Sequence, residues 1–220
     1  MGYDWNDDFL LRKRSVTKDF QPVWNWVRYH IGGKMFAALC LDNNHQPYYI
    51  NLKVDPAEGE VLRDQYEDII PGYYSDKRNW ISVKPDGAVP DELLKDLLDK
   101  AYCLMLRGFS KKKQREILNL SCCGMECADC DFYQKECAGC NACQGKVFHA
   151  PEGKACPIYA CSVQKHRYVT CESCEELPCA IWKETRDPLL SDEIFESSIR
   201  ERMQNLKEIG YYSNPINYCT

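Results

Sequence analysis

Short runs of hydrophobic positions, separated by polar turn-forming stretches, recur in the first half of the chain. Residues 34–41 (KMFAALCL) and 48–54 (YYINLKV) are apolar or β-branched runs, and the turn-forming residues 42–47 separate them. This pattern predicts a β-hairpin. Residues 80–84 alternate between apolar and polar positions and predict a half-buried strand.

Helical signals follow each of these strand regions. Residues 55–58 (DPAE) supply a capping aspartate, a proline in the first helical position and an acid three residues after the cap, which predicts a helix to about Tyr66. Pro90 opens a second helix whose apolar residues recur at helical spacing. They are Leu93, Leu94, Leu97, Leu98, Ala101, Tyr102 and Met105. The order strand, strand, helix, strand, helix predicts an α+β domain over residues 1–121.

A final helix is predicted near the end of the sequence. Ser191 can cap it and Gly210 is expected to end it. Its apolar stripe has helical spacing and is expected to pack against one of the preceding domains. The stripe consists of Phe195, Ile199, Met203 and Leu206. Residues 191–220 are therefore interpreted as a C-terminal helix and tail.

Cysteine content divides the chain near Ser121. Residues 1–121 hold two of the 15 cysteines, whereas residues 122–179 hold twelve. The charge also differs, with 18 basic and 18 acidic residues up to Ser121 and 10 basic and 15 acidic residues after it. These changes predict a cysteine-rich module over residues 122–190. They also argue against a protein that coats nucleic acid along its whole length, since that would need a positive field.

The cysteine spacing predicts metal binding, because cysteines two residues apart recur in this module and such a turn lets two thiolates reach one ion. A disulfide framework is disfavoured in a reducing cytosol. Cys122 is set aside, since adjacent residues rarely point at one ion. The predicted metal ligands are Cys123, Cys127, Cys130, Cys137, Cys140, Cys143, Cys156, Cys161, Cys171, Cys174 and Cys179.

Zinc, as two or three ions, is the predicted metal, because a segment poor in Leu, Ile and Val gains folding free energy from closed thiolate sites. An iron-sulfur cluster is the alternative. Cys137, Cys140 and Cys143 repeat the ferredoxin three-cysteine spacing, and Cys156 is followed by Pro157. All-cysteine zinc sites are closed, and no nucleophile, phosphate loop or paired carboxylates stand at recognisable spacing. The sequence thus predicts a non-enzymatic binding protein, or an electron carrier or redox sensor if iron is bound.

The cellular location is predicted from the first residues and from hydropathy. The segment MGYDWNDDFLLRKR has acids where a signal peptide has bases, and no stretch approaches the roughly 20 apolar residues of a membrane span. We therefore expect a cytoplasmic protein with no membrane partner.

Four segments of the first half resemble the MmcQ/YjbR family over roughly residues 20–107. They are GGKMFAAL, INLKVDP, PGYYSDKRNWISV and DGAVPDELLKDLLDKAY. The resemblance implies a small two-layer α+β domain of CyaY-like shape that binds DNA through a double-wing surface. Two features depart from the family pattern: the leading helix is shortened, and Ala101-Tyr102 stands where the family tends to have Ser-Tyr.

Aromatic and basic side chains that suit nucleic acid occur in two segments. Tyr74, Lys77 and Arg78 form one candidate, since an aromatic ring can stack on a base while neighbouring cations contact phosphate. Lys111, Lys112 and Lys113 form the second. A solvated charged face is the alternative interpretation. The hypothesis is weak binding of duplex DNA with low specificity, and a protein partner stays open.

The cysteine-rich half resembles an uncharacterised bacterial family of cysteine-rich domains over about residues 122–182. The resemblance rests on the segments CGMECADCDFY, CAGC, CPIYAC and CESCEELPC. It implies zinc binding and no reaction.

Overall fold

The apolar runs of the first half form strands. In the computed structural model, which describes residues 5–186 and 188–213, six strands are β1 (Thr17–Gln21), β2 (Trp26–Ile31), β3 (Lys34–Leu41), β4 (Pro47–Lys53), β5 (Ile69–Pro71) and β6 (Trp80–Val83). They build one sheet in the order β1-β2-β3-β4-β6-β5, and every neighbouring pair is antiparallel.

The predicted hairpin and the predicted strand at Trp80 are confirmed as β3, β4 and β6. The sequence did not predict β1, β2 and β5. Strand β1 lies at the sheet edge with exposed side chains in four of its five positions, so it lacks the apolar alternation of a half-buried strand. Strand β5 has only three residues.

Three helices accompany the sheet: α1 (Asn6–Leu11), α2 (Pro56–Gln65) and α3 (Asp91–Arg107). The predicted cap of α2 is confirmed, because the Asp55 carboxylate accepts hydrogen bonds from the backbone N–H groups of Ala57 and Glu58 at 3.0 and 3.4 Å. The leading helix α1 has only six residues, in agreement with the shortened leading helix that the sequence indicated.

The core of this first unit lies between α3 and the central strands β3 and β4. Phe36 of β3 and Tyr102 of α3 are fully buried, and their rings meet edge to face with centroids 5.8 Å apart. A helix layer on an antiparallel sheet is the α+β arrangement that the sequence predicted.

The chain divides into two units, residues 1–108 and 109–220. The second unit therefore begins before the change in cysteine content at Ser121. Its first helix is α4 (Lys111–Leu118), where the Ser110 hydroxyl accepts a hydrogen bond from the Lys113 backbone N–H and Asn119 ends the helix with a φ of 49°.

Regular structure is sparse in the cysteine-rich segment. Short 3₁₀ turns cover Cys127–Asp129 and Cys171–Ser173. Helix α5 (Pro157–Tyr159) continues as a π-type helix, Ala160–Lys165, and α6 covers Ala180–Glu184. The segment is thus held by turns more than by helix or strand ladders.

The predicted final helix is present as α7 (Asp192–Ser213), and it contacts the turn Cys171–Ser173. It runs three residues beyond Gly210, because a single glycine weakens a helix without forbidding it. Phe195, Ile199 and Leu206 are buried, as their spacing predicted. The predicted tail, residues 214–220, lies outside the described residues.

Among the residues described, no helix combines the length and the apolar character that crossing a bilayer requires.

Candidate metal centre

Six of the eleven predicted ligands line a single cavity of about 570 Å³ in the second unit. They are Cys123, Cys127, Cys130, Cys137, Cys140 and Cys156. Apolar side chains, including Val147, Phe148 and Phe195, form much of the remaining wall. Six cysteines from separate turns thus line one cavity, and cysteine sulfurs are the ligands that soft metals prefer.

Tight turns present these thiols. The Cys130 N–H donates to the Cys127 carbonyl oxygen at 3.2 Å, and the Cys174 N–H donates to that of Cys171 at 2.9 Å. Cys156 precedes α5, where burial raises the pKa of its thiol while the backbone N–H groups of Ile158 and Tyr159 act in the opposite direction.

Electrostatic interactions connect four of the cavity thiols. Burial raises the pKa of Cys127, the backbone N–H of Cys140 acts in the opposite direction, and the charges of Cys140, Cys123 and Cys137 raise it further. Burial likewise raises the pKa of Cys156, with contributions from the charges of Cys123 and Cys140. We call Cys123, Cys127, Cys140 and Cys156 the first thiol group.

The remaining thiols near the cavity are Cys130, Cys137 and Cys143. Burial raises the pKa of Cys143, and its strongest charged neighbours are Cys137 and Cys140. Cys143 does not line the cavity itself. His149 lines the same cavity, on the side of Phe148.

The last four predicted ligands form a second thiol group, Cys161, Cys171, Cys174 and Cys179. Burial raises the pKa of Cys161, and the neighbouring charges of Cys179, Cys171 and Cys174 contribute in the same direction. These four residues come from the π-type helix, the Cys171–Ser173 turn and the start of α6. The fold thus separates the predicted ligands into groups that the sequence left unassigned.

Cys171 has the environment of a thiolate. Its pKa is lowered to about 7, chiefly by a hydrogen bond with Cys122 and further by Ser162, Trp182 and the charge of Arg202, against the effect of burial. The Ser162 hydroxyl and the Trp182 indole N–H are buried and have no oxygen or nitrogen acceptor among the described residues. A buried sulfur surrounded by such donors is suited to hold negative charge.

Cys122, which the sequence argument set aside, lies between the two groups. It is 1% exposed, and hydrogen bonds with Cys140 and Cys171 raise the pKa of its thiol well above the usual value. Because Cys122 and Cys123 are adjacent, they are not expected to bind the same ion. Adjacency does not prevent Cys122 from interacting with the ligands of a site. A doubled cysteine at the start of the module was the only sequence signal for this position.

Helix α7 closes one side of the cavity through Arg202. The Arg202 Nε donates to the Cys123 carbonyl oxygen at 3.1 Å, and the guanidinium lies 4.0 Å from the ring centroid of Trp182. Arg202 is 7% exposed and lines the thiol cavity, and its Nη2 has no hydrogen-bond partner among the described residues. A buried cation beside six thiols favours negative charge in the cavity.

The thiols are neighbours without forming a closed ligand shell. Across residues 5–186 and 188–213, no three His, Cys, Asp or Glu side chains are arranged to hold a metal ion. The donor set nevertheless suits zinc, because both groups supply four cysteines on short turns, some with backbone N–H groups directed at the sulfur. Binding an ion requires the thiols to turn towards a common point.

The first candidate nucleic-acid segment lies in the first unit. Tyr74, with a φ of 51°, is 84% exposed, and Lys77 and Arg78 are exposed beside it. The loop is fixed at its base, because the Asn51 side-chain amide donates to the Tyr73 carbonyl oxygen at 2.8 Å and the Ser82 hydroxyl accepts from the Tyr73 N–H at 2.7 Å. These three side chains are brought together on one loop.

The second candidate segment lies in the other unit, at the start of α4. Lys111 donates to the Arg167 carbonyl oxygen at 2.6 Å, and Lys113 forms an ion pair with Glu116 at 3.3 Å. Lys112 is exposed. Two of the three lysines therefore already have protein partners within their own unit.

The match to a known family lies in the first unit. A family model described as YjbR matches residues 11–104. The uncharacterised protein YbdF of Escherichia coli O157:H7 is 36% identical over 89 residues, which are 40% of this chain and 71% of the relative. The uncharacterised protein YjbR of Escherichia coli K12 is 30% identical over 112 residues, 51% of this chain and 93% of the relative.

A solved structure also aligns with part of the chain. The Deinococcus radiodurans protein DR2400, whose crystal structure carries a domain described as DUF419, aligns with a TM-score of 0.49 at 31% identity. The alignment covers 53% of this chain and 87% of that chain.

Proposed function

We propose a function from the second unit, which the family model does not reach. The chain belongs to the YjbR family through its first unit, and both relatives above are described as uncharacterised. The protein is a non-enzymatic zinc-binding protein whose thiolate centres hold a recognition module in shape. The partner is a nucleic acid or another protein. One observation carries the proposal: six cysteines from separate turns line a single cavity.

Zinc binds at least twice, once in each thiol group. Each group offers four cysteines, the number that a closed structural zinc site requires. The second unit also needs such support, because turns dominate residues 122–179 and few ladders of hydrogen bonds hold them. Metal binding then contributes folding free energy on the order of 10 kcal/mol per site.

A third ion is held by Cys130, Cys137 and Cys143 with His149 as fourth ligand. His149 and two of these cysteines line the first group's cavity. Three thiolates and one imidazole form a common structural zinc set. The alternative count, two ions, leaves these three cysteines outside the metal sites.

Elemental analysis of the purified full chain, together with its visible spectrum, tests this proposal. We expect two or three zinc ions per chain and no visible absorption. Cys103→Ala, which removes a thiol from the first unit, serves as the control and should leave the zinc content unchanged. A colourless protein without zinc would overturn the proposal.

An iron-sulfur cluster is the second candidate, and the cavity wall favours it. Val147, Phe148 and Phe195 supply the apolar surroundings of such clusters, and Arg202 offers an N–H donor and a positive charge. Of the ferredoxin-like run, Cys137, Cys140 and Cys156 line the cavity. If the protein purified without oxygen is brown and contains iron and sulfide, the iron-sulfur assignment replaces the zinc assignment. The protein is then an electron carrier or sensor.

Weak DNA binding is the proposed role of the first unit. It is supported by the exposed loop that carries Tyr74, Lys77 and Arg78, where a stacking ring and two cations lie within five residues. A mobility-shift titration of duplex DNA against salt tests it, with K77A/R78A as the variant and K111A/K112A as the comparison. The affinity for DNA should fall as the salt concentration rises, and it should be lower in K77A/R78A than in the wild type. Absence of DNA binding at low salt would refute the role.

A further inference from the structure

Cys123, a member of the first thiol group, lies in a turn that Ser121 closes. The Ser121 carbonyl oxygen accepts a hydrogen bond from the Gly124 N–H at 3.0 Å. The Ser121 N–H donates to the Met125 carbonyl oxygen at 3.1 Å, and the Ser121 hydroxyl accepts from the Met125 N–H at 2.8 Å. Hydrogen bonds to Ser121 therefore fix the backbone around Cys123.

The Ser121 hydroxyl also lies against the Cys123 sulfur. Ser121 Oγ and Cys123 Sγ are 3.2 Å apart, which is hydrogen-bond distance for a sulfur, and Ser121 is 3% exposed. A thiolate has no proton to donate, whereas a hydroxyl that accepts from a backbone N–H still has its own proton. When Cys123 binds a metal as a thiolate, the hydroxyl is therefore the donor and the sulfur is the acceptor.

Arg202 of α7 contacts the same cysteine through its backbone. Its Nε donates to the Cys123 carbonyl oxygen at 3.1 Å, and its guanidinium lies 4.0 Å from the ring centroid of Trp182. Arg202 is 7% exposed and lines the thiol cavity. Its buried Nη2 has no hydrogen-bond partner among the residues described. The guanidinium is thus held in place with one donor unsatisfied.

The charge of Arg202 has no carboxylate partner within residues 5–186 and 188–213. Arg186, which also lines the cavity, forms an ion pair with Asp192 at 2.6 Å. Glu184 lines the cavity at an exposed position. A buried cation without a counter-charge is costly, and a zinc ion with four thiolate ligands carries excess negative charge. Thiolates of the first group would supply the counter-charge of Arg202.

We propose that Ser121 and Arg202 are positioning residues of the first metal centre, which they support through Cys123. The inference rests on the proposed function and adds to it two residues that the cysteine spacing does not indicate. The Ser121 hydroxyl orients the Cys123 sulfur, while the Arg202 guanidinium fixes the Cys123 backbone and offsets the charge of the thiolates. Helix α7 is then part of the metal centre although it contains no cysteine.

Zinc affinity and the reactivity of Cys123 test the role of Ser121. The reduced full chain is stripped with a chelator and titrated with Zn²⁺ against a chromophoric competitor. The zinc-loaded chain is then alkylated, and each cysteine is followed by mass spectrometry. Ser121→Ala should weaken the binding of one ion on the order of 10-fold. It should also speed the alkylation of Cys123, because a sulfur that loses a hydrogen bond becomes a better nucleophile.

Conservative variants separate the hydroxyl and the charge from packing. Ser121→Thr keeps the hydroxyl and should retain most of the zinc affinity and the slow alkylation. Arg202→Met keeps an apolar stem but loses the charge, so it should weaken the binding of the same ion on the order of 10-fold. Arg202→Lys keeps the charge and should bind more tightly than Arg202→Met. Should Arg202→Met not fold, Arg202→Gln takes its place.

Asn205→Ala is the matched control on α7. The Asn205 side-chain amide donates to the Gly124 carbonyl oxygen at 2.9 Å. Its loss removes another bond between α7 and the same turn, without removing a charge or a contact to Cys123. The zinc affinity and the alkylation rate of Cys123 should therefore stay close to those of the wild type.

The outcomes separate the inference from the proposed function. No zinc binding by the wild type overturns the proposed function. Wild-type affinity and wild-type Cys123 reactivity in Ser121→Ala and in the Arg202 variants overturn the inference and leave the proposed function standing. Equal losses in Asn205→Ala, or losses in Ser121→Thr as large as those in Ser121→Ala, would mean that only the shape of the turn matters, and they also overturn the inference.

Discussion

Gly124 packs directly against the backbone carbonyl of Arg202, so that a Cβ atom at position 124 would overlap the carbonyl oxygen. The φ of Gly124 is 82°, in the left-handed region that favours glycine. The side-chain amide of Asn205 donates to the Gly124 carbonyl oxygen at 2.9 Å. This close approach joins α7 to the first turn of the cysteine-rich segment, next to Cys123.

Gly124→Ala should destabilise the second unit strongly. The substitution combines the cost of a left-handed residue with a backbone overlap that no rotamer relieves, together about 3–4 kcal/mol. Urea unfolding of the full chain, followed by a probe of the second unit, measures it. Gly153→Ala is the matched control, because Gly153 has a φ of 71° and open space around it, so only about 1 kcal/mol should be lost. Equal losses in the two variants would contradict the packing argument.

Ser82→Ala should loosen the loop that carries Tyr74. Ser82 and Asn51 are fully buried; the Ser82 hydroxyl accepts from the Tyr73 N–H at 2.7 Å and donates to the Asn51 side-chain oxygen. Removing the hydroxyl leaves two buried polar groups unsatisfied, at a cost of about 1–3 kcal/mol. Hydrogen exchange of the Tyr73 amide and the unfolding free energy report the change.

The control for this variant is Ser75→Ala. Ser75 donates to the Tyr73 carbonyl oxygen at 3.4 Å, a longer bond at a less buried position. Its loss should change the unfolding free energy by less than about 1 kcal/mol. If both variants protect the Tyr73 amide as well as the wild type does, Ser82 does not anchor the loop.

Stability of the first unit should depend on the charge of Asp7 in acid. Partial burial alone would raise the pKa of Asp7, but hydrogen bonds from Lys18 and Tyr29, at 2.7 and 2.5 Å, outweigh it and lower the pKa. A carboxyl whose pKa is lower in the folded state stabilises the fold above its ordinary pKa, near 4, and loses this contribution as the pH falls through the folded value.

Asp7→Asn should therefore reduce stability at neutral pH by roughly 0.2–1 kcal/mol, the range of exposed ion pairs. The difference from the wild type should shrink below about pH 3. Urea unfolding at a series of pH values measures both effects. Asp8→Asn, at an exposed neighbouring position, should not reproduce them. A difference in unfolding free energy that grows as the pH falls would contradict this prediction.

Chelation should unfold the second unit and spare the first. The first unit has its own buried core, whereas residues 122–179 have few ladders of hydrogen bonds, so metal sites are expected to supply much of their stability. Hydrogen exchange with and without a strong zinc chelator should show lost protection near Cys171 and unchanged protection in β3 and β4. Re-addition of Zn²⁺ should restore it. Unchanged protection in both units would contradict a structural role for metal.

Local sequence signals were sufficient for the elements in which several of them agree. Strand β3 is a nearly continuous apolar run of eight residues, and Asp55 to Glu58 combine a cap, a proline and an acid. Strand β1 has no comparable signal, because an edge strand is defined by hydrogen bonds to its neighbour, and four of its five side chains face solvent. Local pattern therefore predicts the central strands and helices and misses the edge.

Spacing also determined which residue type matters in the second unit. Twelve cysteines in 58 residues, with repeated two-residue gaps, point to thiolate chemistry before any fold is known. How those thiols divide depends on the fold, in which Cys156 interacts with Cys123, and Cys161 with Cys179. Cys122 interacts with both Cys140 and Cys171. A two-residue turn fixes one pair of cysteines locally, whereas the choice of partner pair depends on contacts between segments far apart in the chain.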